Sequence, residues 1–141
     1  MSDGTNWRDK RREALAAQAA ALERQRDAET AQARRLIADF VTAMTSRGLA
    51  PHPLRARSSA GGTYRTGLTG WYLRRNHALA VGADGEFYVL DVPARLGGRL
   101  RGVTVDPSDP PLHVGRGARD GESMPLGDLL RQRLDAGPDF P

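Results

Sequence analysis

Cysteine is absent from the 141 residues, which excludes a disulfide scaffold, a thiolate zinc site and a cysteine nucleophile. Lysine is nearly absent: Lys10 stands alone, and the other 20 of the 21 basic residues are arginine. Aromatic residues make up 6% of the chain against 39% hydrophobic residues in all, so a core is expected, but a thin one. No run approaches the roughly 18 apolar residues of a membrane span. The opening residues also lack the apolar stretch of a secretory signal. A cytoplasmic protein without membrane contact is therefore expected.

Glycine and proline are missing from residues 7–44, where alanine is dense and Leu, Glu, Gln and Arg fill most other positions. These are the strongest helix formers. Thr5 or Asn6 is a suitable cap, and Gly48 followed by Pro51 is a suitable stop. Residues 1–48 are thus expected to form one long N-terminal helix. Leu36, Ile37, Phe40, Val41 and Met44 make an apolar stripe wide enough to dock on a core. Further back, Leu15 and Leu22 are seven residues apart, a single heptad pair. About 38 helical residues extend roughly 57 Å. A compact remainder of about 80 residues has a diameter near 30 Å. About half of the helix should therefore overhang, either solvated or packed on a second copy or a protein partner.

Residues 49–63 are rich in Pro, Ser and Gly and read as a linker before a small α+β domain at 64–141. There the period changes to two: strands are expected at 69–75, 78–81, 86–92, 100–105 and 112–114, with Asp84-Gly85 as a hairpin turn. Leu126, Leu129, Leu130 and Leu134 mark a short C-terminal helix at 124–136, ended by Gly137-Pro138. The class is α+β: a long N-terminal α-helix, a small antiparallel sheet (a meander of about four to five strands) and a short C-terminal α-helix.

The net charge of +4 is unevenly distributed. Residues 49–82 carry Arg55, Arg57, Arg65, Arg74 and Arg75 with no carboxylate, and the segment after them is acidic. Tyr64, Trp71 and Tyr72 fall in the same basic stretch. Arginine on phosphates and aromatic rings under bases are the elements of single-strand RNA recognition. A nucleic-acid interface of Arg55, Arg57, Arg65, Tyr72, Arg74 and Arg75 is therefore one expectation. Neighbours on a strand face opposite ways, so Trp71/Tyr72 and Phe87/Tyr88 should each send one ring to either side of the sheet. One ring of each pair is then core, and the other is either exposed or packed beneath a helix.

Gly115, Gly117 and Gly121, with Arg116 and Arg119 between them, resemble an anion-binding loop, so Arg116, Gly117 and Arg119 are a second candidate set. The spacing departs from GxGxxG, and Asp120 and Glu122 sit inside it, as in an ordinary glycine-bearing surface turn. His52, His77 and His113 show no metal-ligand spacing. Asp106 and Asp109 alternate with prolines, as turns do. No serine has nucleophile-elbow context. The expectation is a non-catalytic binding or adaptor module that needs no cofactor or metal. It would meet itself or a protein partner through the long helix, with nucleic-acid binding as the alternative.

Overall fold

The computed structural model describes residues 3–93, 102–115 and 123–141. Helix α1 runs from Asp3 to Ser46, 44 residues or about 66 Å. It starts earlier than expected, so Thr5 and Asn6 lie inside its first turns. Its end is where glycine predicts it. Gly48 has φ +72°, the Leu49 amide donates to the Met44 carbonyl and the Gly48 amide to the Thr45 carbonyl, both at 3.0 Å. This double bond pattern satisfies carbonyls that a bare helix end would leave open. Leu49 then packs into the core cluster containing Met44, and its carbonyl accepts the Trp71 indole N–H at 3.0 Å.

Strands β1 (His52–Ser58), β2 (Thr63–Tyr72), β3 (Leu79–Gly82) and β4 (Phe87–Val89) form an antiparallel meander, and β5 (Asp91–Val92) runs parallel to β1. The sheet order is β4-β3-β2-β1-β5. About half of the segment expected as a linker, residues 52–58 of 49–63, is thus strand β1, in register with β2. Its prolines and serines obscured a two-residue alternation, Leu54 and Ala56 buried, Arg55 and Arg57 exposed. The expected strand at 86–92 is divided between the two ends of the sheet. Leu90, at the division, donates to the Ala78 carbonyl at 2.8 Å and accepts from the Arg57 amide at 2.7 Å. Because β4 and β5 are consecutive halves of one stretch, the sheet curls back on itself.

Two further expectations shift. Of the strand expected at 100–105, the described part is not in a ladder; Val103 is tied to the Arg65 carbonyl at 2.8 Å. Strand β6 (His113–Val114) pairs with β7 (Met124–Pro125), apart from the main sheet. Helix α2 spans Leu126–Ala136. The three residues between Gly82 and Glu86 form the expected hairpin turn, with Gly85 at φ +83° and Asp84 Oδ1 accepting from the Glu86 amide at 2.9 Å.

One face of the sheet (Trp71, Leu73, Val81, Phe87) packs against Ala33, Ile37, Phe40 and Met44 of α1 and Leu126, Leu129 and Leu130 of α2. Phe40 meets Trp71 edge to face, with ring centres 6.1 Å apart, the arrangement their quadrupoles favour. The other face (Leu54, Ala80, Tyr88, Leu90) encloses a second core. Val103 and Val105 pack beside its continuation at Ala56, Tyr64 and Val92. Trp71 and Phe87 therefore go to one side and Tyr72 and Tyr88 to the other, as alternation requires.

Candidate functional site

The N-terminal half of α1 leaves the domain. Residues 4–29 are all exposed, and burial begins with Thr30 and Ala33. Three large apolar side chains stay in solvent on this arm: Trp7 (62% exposed), Leu15 (58%) and Leu22 (49%). At about 100° per residue, Leu15, Leu22, Ala33, Phe40 and Met44 fall within an arc of about 40°. The arm thus extends the line of the docked face beyond the domain. Where it emerges, Arg34 binds Asp109 at 2.8 Å and Glu86 at 3.4 Å. Beside it, a groove of about 690 Å³ separates helix residues 23–30 from residues 109–113; Glu23, Asp27, Glu29 and Asp109 line it, with Arg26 as its basic member. No described helix is long and apolar enough to cross a membrane.

Three of the five arginines of the basic segment meet in one recess. Arg55, Arg57 and Arg75 line one recess of about 470 Å³ with Thr63, Tyr72, Asn76 and His77. Strand alternation presents Arg55 and Arg57 on one side of β1. Arg65 stands directly across from Arg55 in the ladder, next to the recess but not in its wall. Arg74 lines a different recess with Leu79, Phe87, Val89 and Asp91. The recess arginines are held by neutral groups. Arg55 Nε donates to Thr63 Oγ1 at 3.0 Å, and Arg57 Nη1 donates to the Asn76 carbonyl. Asp91 is the cross-strand neighbour of Arg57, yet among the described residues no carboxylate forms an ion pair with Arg55, Arg57 or Arg75.

The aromatic half of the expected interface is already engaged. Trp71 is 2% exposed and belongs to the helix-facing core. The Tyr72 ring is stacked on His77, with centres 3.8 Å apart and planes at 6°, and its hydroxyl accepts from the Arg55 amide at 2.8 Å. His77 closes the turn after β2, its amide donating to the Arg74 carbonyl at 3.0 Å. It holds a left-handed backbone conformation, φ 61°, uncommon for a non-glycine residue, and its Nε2 lies 2.8 Å from the Pro141 oxygen. Its place in the recess depends on β1 approaching the 74–77 turn, a contact that local periodicity does not carry.

Arg116, Gly117 and Arg119 lie outside the described residues. His113 Nε2 lies 2.6 Å from Ser123 Oγ across the β6–β7 pair, both exposed, with no described carboxylate bonded to the imidazole to orient it. No cluster of three metal-ligating side chains occurs among the described residues.

Two buried polar groups belong to the scaffold. Tyr88 donates to Asp84 Oδ2 at 2.6 Å, and its phenol is pushed up to about 12, mainly by burial, with added contributions from the Asp84 hydrogen bond and the Asp84 and Glu86 charges. Arg133 is 6% exposed. It donates to the Tyr72 carbonyl at 2.8 Å and the Gly137 carbonyl at 3.0 Å, and its guanidinium sits 4.2 Å from the Phe140 ring centre. Desolvation lowers its pKa. It ties the end of α2 to the end of β2. Comparison of the chain with protein-family models, with curated proteins and with solved structures returns no match.

Proposed function

We propose that this chain is a non-catalytic cytoplasmic binding module that associates, with itself or with a protein partner, through the projecting half of α1. The supporting observation is the arm: 26 consecutive exposed helical residues that keep Trp7, Leu15 and Leu22 on the solvent side. Burying each leucine against a partner is worth about 1.5–3 kcal/mol. Light scattering of the full chain should give at least twice the monomer mass. Deleting residues 1–30 should remove that association and leave the thermal unfolding of the domain intact. A full-length chain that stays monomeric at high concentration and captures no partner ends this reading.

A second reading rests on the recess. Arg55, Arg57 and Arg75 converge without carboxylate partners among the described residues, which suits phosphate groups of a nucleic acid. With Trp71 buried and one face of Tyr72 covered, such binding would rest on phosphate charge more than on base stacking. About three neutralised phosphates give a log–log salt slope of roughly −2 to −3. Replacing Arg55, Arg57 and Arg75 by alanine should abolish the binding. Unchanged RNA and DNA mobility at low salt removes this reading.

A further inference from the structure

We infer that the arm's partner is a second copy of this chain, with the two arms antiparallel and crossing between Gln18 and Ala19. The inference rests on the self-association reading above and adds the register. Leu15 and Leu22 share a face with the docked stripe, and an antiparallel pair centred at that point sets Leu15 of each copy against Leu22 of the other. In this register residue 4 of one copy lies beside residue 33 of the other, so each arm runs along its partner's exposed stretch.

Charge selects this direction. A parallel, in-register pair brings every position of the seam against itself: Arg8 on Arg8, Arg26 on Arg26, Glu29 on Glu29. The antiparallel pair instead sets Arg8 at the level of Glu29. Arg8 and Arg12 also lie on the same flank of the leucine line as Glu23 and Thr30. A two-fold axis between antiparallel helices keeps each flank on one side. The two arginines of one copy therefore come over the groove of the other, where Glu23, Asp27 and Glu29 outnumber Arg26 and where Asp109 is already paired with Arg34. Two like-charge approaches result: Arg11 at the level of Arg26, and Arg12 about 1.5 Å along the axis from Arg26 on the same flank. The Arg11 guanidinium is turned toward its own Trp7, 5.4 Å from the ring centre.

The absence of cysteine makes the register directly readable. In single-cysteine variants of the full chain, Gln18→Cys and Ala19→Cys sit about 1.5 Å along the axis from their own copies, whereas Leu15→Cys and Leu22→Cys sit about 10 Å from theirs, beyond disulfide reach. Oxidation should link Gln18→Cys and Ala19→Cys to themselves. Leu15→Cys should link to Leu22→Cys only in a mixture of the two. Arg8→Glu should weaken the dimer about tenfold, and adding Glu29→Arg to it should restore the affinity. A dimer in which Leu15→Cys and Leu22→Cys each link to themselves overturns the antiparallel register and leaves self-association standing. Absence of any dimer by light scattering overturns both.

Discussion

Residues 4–29 and residues 33–44 belong to one helix, and Leu15 and Leu22 of the first lie on one line with Ala33, Phe40 and Met44 of the second, yet the second set is buried and the first is in solvent. The docked stretch is held by tertiary packing: Ile37, Phe40 and Met44 each bury a full side chain against the sheet or α2. The arm has no such support and relies on composition. Alanine supplies propensity, and side-chain contacts such as Gln25 to Glu29 at 3.4 Å add a few tenths of a kcal/mol. Starting a helix is the costly step and extending it is close to free. The docked stretch supplies the start, so an alanine-rich arm can continue from it. The difference teaches that packing on the domain holds the second stretch, while composition alone carries the helix through the first.

Four changes break or sharpen this contrast, the largest first. Phe40→Ala opens a cavity beside Trp71 and should cost about 3–5 kcal/mol in denaturant unfolding; Leu22→Ala, on the same helical line, should leave monomer stability within about 0.5 kcal/mol. Raising pH above about 10 should destabilise the domain through Tyr88. Tyr88 holds its proton to about 12 in the fold and to about 10 in the unfolded chain. Its contribution is therefore constant below 10 and falls as pH rises from 10 through about 12, with a ceiling of about 3 kcal/mol. Tyr88→Phe should remove that part of the pH dependence in thermal melts. Gly70→Ala should cost about 1–3 kcal/mol, because its Cβ would stand 2.2 Å from the Val81 carbonyl oxygen. Ala20→Gly should cost about 1 kcal/mol of local helix stability. It should lower helical circular dichroism and amide protection in the arm without shifting the domain transition.

Much of the fold was legible because it is local. Alanine density, the Gly48 stop, the Asp84-Gly85 turn and the leucine spacing of α2 act over a few residues. The division of the Trp71/Tyr72 and Phe87/Tyr88 pairs between two faces followed from alternation alone. Strand β1 was hidden because Pro51, Pro53, Ser58 and Ser59 signal turns, although Leu54 and Ala56 alternate with Arg55 and Arg57. The basic recess was legible in half. Its arginines are plain in the sequence. Which of them meet depends on β1 reaching the 74–77 turn, which brings Arg75 into one recess with Arg55 and Arg57. The role of His77 depends on the same non-local approach.

The way α1 is rooted has a mechanical consequence. The Leu49 carbonyl on the Trp71 indole, the Phe40–Trp71 contact and the Arg34 ion pairs clamp one end of the rod, and about 39 Å of helix projects past Thr30. Such a rod is a lever. A tilt of 10° at the clamp swings the tip by about 7 Å, so small repacking around Trp71 would be amplified into a large change in where the tip points.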